Sequence, residues 1–149
     1  MSGLPLRYAP FYRRLGELWR LPERQVEAEL LRARDARSWS LTPFPGLRAF
    51  LVERGAANVE DRCRLLRFAP GVRFPAHRHR GDERVLVLEG SYADSSGDVV
   101  GPGQLQHMVA GSEHQLRILG GVPCVAAVAE HGIDFSGPWL RWISKLLLR

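Results

Sequence analysis

The chain has 149 residues, the length of one domain with room for a short extension, and its 45% hydrophobic and 25% charged residues are ordinary for a soluble globular protein. The net charge of +5 is carried almost wholly by arginine, because Lys145 is the single lysine, and it predicts a generally basic surface. No basic helix with a DNA-reading motif accompanies this charge, so no nucleic-acid partner is expected, whereas an acidic partner or substrate stays open.

Residues 8 to about 39 have the apolar spacing of helices. From Phe11 to Trp19, apolar side chains recur at i, i+4, i+7 and i+8, which places them on one face. A second helix starts at Pro22, a residue suited to a first turn, and the Pro-Phe-Pro-Gly segment from Pro43 cannot continue it. We therefore treat residues 1–39 as a helical N-terminal extension.

Short strands separated by turns follow, from Leu47 to about Glu130. Glycine and proline punctuate this region at short intervals and no helical spacing interrupts it, so a β-sandwich or barrel is indicated. The predicted strands are Leu47–Glu53, Arg62–Phe68, Phe74–His79, Val85–Glu89, Val99–Val100, Leu105–Val109, Gln115–Leu119 and Cys124–Ala129.

The end of the chain predicts a short amphipathic helix inside a tail of residues 132–149. Its apolar side is formed by Trp139, Ile143, Leu146 and Leu147. We expect this side to pack on the sandwich or on a second copy rather than on a membrane, because few charges line the opposite face. The N-terminal helices, which carry Trp19 and Trp39, also have apolar faces, and together these features predict a homodimer.

The chain has two cysteines, Cys63 and Cys124, too few for a disulfide framework. Its first residues lack the apolar segment of a secretory signal, and no apolar run reaches the length of a membrane span. We expect a cytoplasmic protein with reduced, buried thiols and no membrane partner.

Two of the five histidines, His77 and His79, are one residue apart in a predicted strand. Alternate side chains of a strand share a face, so the two imidazoles project together, roughly 6.6 Å apart along the strand. A turn after His79 can return Glu83 to the same face, and such a set can hold one divalent ion. A fourth ligand has to come from downstream, where His107 and His114 are both candidates.

The longer spacing around these residues resembles the two sequence motifs of the cupin superfamily. The patterns are Gly71-x5-His77-x-His79-x3-Glu83-x6-Gly90 and Gly103-x5-Val109-x-Gly111-x2-His114. Val109 and Ile118 depart from the proline and asparagine that are usual in the second motif, but neither position is a ligand. The resemblance implies an all-β jelly-roll sandwich, the double-stranded β-helix of cupins, with one divalent metal.

Residues 40–131 are similar to the ChrR-type cupins, which form the C-terminal part of zinc-dependent anti-sigma factors. By motif position this similarity implies zinc, with the metal ligands His77, His79, Glu83 and His114. In that family the N-terminal sigma-binding domain has a second zinc motif, His-x3-Cys-x2-Cys, whereas the first 39 residues here contain neither histidine nor cysteine. We therefore expect a stand-alone cupin domain and do not expect sigma-factor binding.

His107 is a further candidate for the site. It shares a strand face with Leu105 and Val109, so we predict that it points inward, deeper along the face than His114. It is interpreted as a core histidine or as one that supports a metal ligand, with a catalytic base or an alternative ligand as the other readings. No catalytic residue is assigned.

Two functions fit these residues. The first is a regulatory or sensory module, for stress response or transcription regulation, that binds one divalent metal. The second is a metal-dependent dioxygenase or related metalloenzyme acting on a small molecule held in the cupin cavity. Four protein ligands close a tetrahedral zinc site, whereas iron, manganese or nickel would keep open positions with the same ligands. We prefer the first function and zinc.

Overall fold

The computed structural model describes residues 7–54 and 61–136, which form two helices and two antiparallel β-sheets packed face to face. The helices are α1 (Tyr12–Trp19) and α2 (Glu23–Arg32), with single 3-10 turns at Ala9–Phe11 and Ala36–Ser38. The strands are β1 (Ser40–Leu41), β2 (Leu47–Leu51), β3 (Arg62–Phe68), β4 (Arg73–His79), β5 (Glu83–Glu89), β6 (Tyr92–Asp94), β7 (Val99–Val100), β8 (Leu105–Met108), β9 (Glu113–Ile118), β10 (Cys124–Glu130) and β11 (Ile133–Phe135). The larger sheet has the order β1-β2-β3-β10-β5-β8 and the smaller sheet the order β11-β4-β9-β6-β7. This architecture confirms the predicted all-β jelly roll with N-terminal helices.

The larger sheet is the middle of three layers. In β3, Cys63 and Leu65 pack against the helices, while Leu66 and Phe68 face the smaller sheet, as strand alternation requires. β10 lies between β3 and β5 and is buried along its whole length. Because both of its faces are covered, its sequence is almost continuously apolar instead of alternating.

Helices α1 and α2 cover the outer face of the larger sheet. Leu15, Leu18 and Trp19 are buried there, so the apolar spacing correctly predicted which side of α1 faces the protein, and Leu30 of α2 is also fully buried. α1 ends at Arg20, which adopts a left-handed conformation with φ of 56° and donates its backbone N–H to the carbonyl of Gly16. Neither described helix is long and apolar enough to cross a bilayer.

Three short strands, β1, β6 and β11, were not predicted from the sequence. Each has only two or three residues and is held by pairing with a longer neighbour, as β6 is by β9 and β11 by β4. A strand of two or three residues is too short to show an alternating apolar pattern in the sequence, so it could not be predicted. β11 carries the smaller sheet to Phe135, past the predicted boundary at residue 131, and the predicted C-terminal helix lies outside the described residues.

Both cysteines are free and buried, on opposite faces of the larger sheet. Burial raises the pKa of the Cys63 and Cys124 thiols to about 12, so both are protonated and unreactive near neutral pH. They act as small apolar side chains of the core, as predicted.

The turn at Gly90 should be the least tolerant glycine of the β region. Gly90 has φ of 68°, and a Cβ added there would overlap the carbonyl oxygen of Pro123 and lie 2.9 Å from Cα of Cys124. Gly97 is the matched control, because its φ of 95° is also left-handed but nothing lies within 4 Å of an added Cβ. We expect Gly97→Ala to cost about 1–2 kcal/mol from backbone strain alone and Gly90→Ala to cost clearly more. Urea unfolding of both variants measures this, and equal losses would show that the contact with Pro123 has no effect.

Candidate metal centre

Three histidines meet on the inner face of the smaller sheet. His77 and His79 lie at the end of β4, and His114 lies in the neighbouring strand β9, where it directly opposes His77. Side chains that are directly opposed in an antiparallel pair are neighbours on one face, so this register joins residues far apart in the sequence. The three side chains are only 1–2% exposed.

The three imidazoles are close enough to bind one ion. Their candidate ligand nitrogens all lie within 4.8 Å of one another, and Nε2 of His79 is 3.0 Å from Nε2 of His114. In His77, Nδ1 lies 2.9 Å from the carbonyl oxygen of Pro75, which can only accept a hydrogen bond. Nδ1 therefore carries the proton in the neutral ring, and the lone pair on Nε2 remains available for a metal.

In the other two rings, Nδ1 lies near a carboxylate but beyond normal hydrogen-bond distance. Nδ1 of His79 lies 3.5 Å from a carboxylate oxygen of Glu83, and Nδ1 of His114 lies 3.7 Å from one of Asp94. Both Nδ1 atoms are buried and have no hydrogen-bond partner within normal distance. Metal-binding histidines usually direct the second ring nitrogen to a carboxylate or carbonyl, and each of the three rings here has such a group beside it. The residues therefore fit a divalent metal bound through Nε2.

Burial keeps the three histidines neutral. It lowers the pKa of His77 to about 3 and of His79 to about 4, with the neighbouring imidazoles as a further cause, and it also lowers the pKa of His114. A neutral imidazole is the form that binds metals, so protons compete little for this site near neutral pH.

Glu83 lies beside the cluster rather than inside it. It belongs to β5 of the larger sheet, and its carboxylate contacts His79 without being mutually close to all three histidines. Burial, and the nearby carboxylate of Glu130, raise the pKa of Glu83 to about 8. The structure thus brings three of the four predicted ligands together, and the role of Glu83 as the fourth ligand stays a prediction.

Asp94 supports the centre and was missed in the sequence. Its side chain accepts hydrogen bonds from the backbone N–H groups of Ser96 and Asp98 and, at 2.7 Å, from Nε2 of Gln106. Burial alone would raise the pKa of Asp94, but these hydrogen bonds outweigh it and hold the pKa below its usual value. The ionised carboxylate of Asp94 therefore faces His114. In the sequence, the apolar and polar alternation Tyr92-Ala93-Asp94 after a glycine turn could have indicated a strand that places Asp94 on the same face as Tyr92.

The predicted inward direction of His107 is wrong. In the pairing of β5 with β8, His107 opposes Arg84 on the outer face, and Gln106 opposes the buried Val85 on the inner face. His107 is 42% exposed, and its Nε2 lies 3.1 Å from Asp82. The strand has polar residues on both faces, so its register, which the sequence does not contain, decides which face is inside.

A cavity of about 130 Å³ opens between the sheets next to the histidines. Most of its wall is apolar and aromatic, with Phe44, Phe74 and Phe135 in mutual ring contact. Its polar lining includes His77, Glu83 and an ion pair between Arg64 and Glu130, whose charged atoms are 3.3 Å apart. The cavity can take a small, mainly apolar molecule with one polar end directed to the histidines.

Comparison with known proteins identifies the domain. The ChrR cupin-like domain family matches residues 27–133 of the chain. A comparison with curated proteins finds no match.

Solved structures agree with this match. The anti-sigma factor ChrR of Rhodobacter sphaeroides, in complex with SigE, is 31% identical, with 64% of this chain covered and a TM-score of 0.56. This chain spans 49% of the ChrR chain, about half its length. A putative acetylacetone dioxygenase from Methylibium petroleiphilum is 19% identical over 67% of this chain and 75% of its own, with a TM-score of 0.57. An acetylacetone dioxygenase from Acinetobacter johnsonii is 14% identical over 68% and 73%, with a TM-score of 0.58, so both dioxygenases share the fold.

The metal-free protein should lose stability as the pH falls below about 6.5. The pKa values of His77 and His79 are about 3 and 4 in the folded protein against 6.5 as the ordinary value, so between these limits the unfolded chain binds more protons. Protonation of these two imidazoles favours unfolding. Glu83, whose pKa is raised to about 8, acts in the opposite direction, but one group is outweighed by two, so the stability rises with pH across this window. After removal of metal with a chelator, the urea midpoint of the wild type should fall steadily from pH 6.5 towards pH 4.

Two variants give this measurement its control. His77→Gln removes one buried imidazole and should flatten the pH dependence, whereas His107→Gln removes an exposed imidazole and should leave it unchanged. A wild-type midpoint that does not change between pH 6.5 and pH 4 would contradict the assignment of neutral, buried histidines.

Proposed function

This chain belongs to the ChrR cupin-like family, and we propose that it is a regulatory or sensory module that binds one zinc ion. The ligands are His77, His79, His114 and Glu83. The observation that carries the proposal is the group of three buried imidazoles, whose candidate ligand nitrogens all lie within 4.8 Å of one another. The bound ion would supply a fixed positive charge and would link the three strands that carry its four ligands.

The donor set supports a structural or sensory zinc site. Three imidazole nitrogens and one carboxylate complete the four ligands of a closed tetrahedral site, which leaves no position for a reacting molecule. The ordinary preference of imidazole for zinc, copper, iron and nickel does not select among these metals by itself. Zinc is proposed because the chain resembles the zinc-dependent ChrR-type cupins in motif.

The positions of the ligands suggest how occupancy is sensed. The three histidines belong to the smaller sheet and Glu83 belongs to the larger sheet, so a shared ion would join the two layers of the sandwich. A ligand set that has to be deprotonated and assembled makes metal binding and folding mutually dependent. Loss of the ion, or entry of a small molecule into the adjoining cavity, would then loosen the contact between the sheets.

Sigma-factor binding is not part of this proposal. The ChrR structure contains SigE, but this chain spans about half of ChrR, and residues 1–39 here have no histidine or cysteine for a second zinc motif. Homodimer formation, a cytoplasmic location and the helical extension at residues 1–39 are retained as proposals from the sequence.

A metal-dependent dioxygenase is the second candidate. The observation that favours it is the apolar cavity beside His77, which could hold an organic substrate next to a redox-active ion. In that case the same four residues would hold iron, which keeps further positions open to dioxygen and substrate.

The metal content of variants tests the proposed ligands. Protein purified without a metal-affinity tag should contain near-stoichiometric metal by elemental analysis, and His77→Ala should lose most of it. In competition with a chelator, His114→Ala should lower the affinity at least about tenfold, because it removes a direct ligand. The matched control is His107→Ala, which removes an exposed histidine and should keep the stoichiometry.

Other results of the same titration would contradict the proposal. Wild-type protein that stays empty after incubation with zinc, iron and manganese would show that the cluster binds none of these metals. Glu83→Gln with wild-type zinc affinity would exclude Glu83 as a ligand and contradict the closed four-ligand site.

Oxygen consumption separates the two functions. The iron(II)-loaded protein is mixed with diketones, flavonoids or thiols, and we expect no oxygen uptake above that of free iron, because a regulatory zinc site needs no residue that binds or activates such a substrate. Saturable uptake that His77→Ala abolishes and His107→Ala preserves would overturn the regulatory function and support a dioxygenase.

A further inference from the structure

A second pocket lies on the outer face of the larger sheet, between this sheet and the helical segment. Its volume is about 290 Å³, and four arginines line it: Arg7, Arg34, Arg48 and Arg67. The histidines lie on the other side of the larger sheet, between the two sheets, so this pocket is separate from the metal centre. We call it the arginine pocket.

Two of these arginines are directly opposed across neighbouring strands. Arg48 in β2 and Arg67 in β3 are Cα partners in the antiparallel register, and both have the orientation of the helix-facing residues Phe50 and Leu65. Directly opposed side chains have Cβ atoms about 4.5–5.5 Å apart, and like charges in such a pair are destabilising. The register therefore places two positively charged side chains side by side, and a bound anion would relieve the repulsion between them.

Glu89, the acidic residue that lines the arginine pocket, is already paired with Arg7 and Tyr8. Glu89 lies 2.7 Å from Nε of Arg7 and accepts a hydrogen bond of 2.7 Å from the hydroxyl of Tyr8. A shift of the β5–β10 register between Val125 and Ala126 pairs Glu89 with Val125, whose side chain faces the helices. Within residues 7–54 and 61–136, Arg34, Arg48 and Arg67 form no ion pair, and all three are exposed.

The pocket also has a rigid apolar side. The indole N–H of Trp39 donates to the carbonyl of Ala33 at 2.8 Å, and the ring packs on Phe50 with centroids 5.7 Å apart. Leu65 and Val125, both buried, line the sheet side. The guanidinium groups therefore surround a preformed wall, which lowers the ordering that a ligand would have to impose.

We propose that the arginine pocket binds the phosphate group, or another dianionic oxyanion group, of a small organic molecule. Guanidinium groups form paired hydrogen bonds with such oxygens, and the three without a carboxylate partner carry enough positive charge to neutralise one dianion. Trp39 and Leu65 offer apolar contact for the organic part of the molecule. This proposal does not depend on the metal site.

Inorganic phosphate, phenyl phosphate and sulfate are the probes, each titrated calorimetrically into the full chain at constant ionic strength. We expect saturable one-to-one binding of phosphate, tighter binding of phenyl phosphate, and Arg48→Gln and Arg67→Gln each weakening it at least about tenfold. Arg34→Gln, outside the sheet, should weaken it in the same direction. If sulfate binds as tightly as phosphate, the pocket accepts any dianionic oxyanion group. If phosphate binds and sulfate does not, the natural ligand carries a phosphate group.

The smaller sheet offers a matched control. Arg73 in β4 and Arg117 in β9 are also directly opposed and exposed, but neither of the two described helices covers that pair. The double variant Arg73→Gln/Arg117→Gln removes the same charge and should change the affinity less than about twofold. Equal weakening by the control pair, or the absence of saturation in the wild type, would mean that a generally basic surface attracts the anion, and would overturn the proposal.

Thermal unfolding gives a second, independent measurement. Without an anion, Arg48→Gln should unfold at a higher temperature than the wild type, because it relieves the repulsion from Arg67. Phosphate should raise the unfolding temperature of the wild type and have little effect on the variant. A lower unfolding temperature for Arg48→Gln without an anion would contradict the argument from repulsion.

Discussion

The metal centre depends on the direct pairing of His77 with His114 across β4 and β9. This register places two imidazoles opposite each other on an inner face, and His79 joins them because it is two residues further along the same strand. Burial then keeps the rings uncharged, and the hydrogen bond from Nδ1 of His77 to Pro75 selects the nitrogen that faces the site. The sandwich therefore assembles three neutral imidazoles, which could hold a metal ion, from residues that separate strands contribute.

The two faces of the larger sheet contact different parts of the protein, because side chains alternate between the faces along each strand. One face of β3 contributes Leu66 and Phe68 to the space between the sheets, where the cavity and the histidines lie. The other face contributes Leu65 and Arg67 to the helical layer and the arginine pocket. Because successive residues point to opposite faces, a single short strand takes part in both regions without either region contacting the other.

Polar residues link the layers around the metal centre. Tyr92 donates its hydroxyl hydrogen to Gln106, and Gln106 donates to Asp94, which lies beside His114. Gln106 belongs to the larger sheet and Asp94 to the smaller one, so this buried chain of hydrogen bonds holds the sheets in one alignment. Buried hydrogen bonds of this kind favour a single arrangement of the elements that carry them.

The sequence by itself determined the fold class, the two helices with their buried faces, most strands and the family, because apolar spacing and motif spacing are local. It also pointed to His77, His79 and His114, which the structure brings together. Only the tertiary structure decided that His107 faces solvent and Gln106 faces inward, since a one-residue shift in register exchanges the two faces of a strand. The same holds for Asp94 and for the pairing of Arg48 with Arg67, because contacts between strands depend on register and sheet order, which no single stretch of sequence contains.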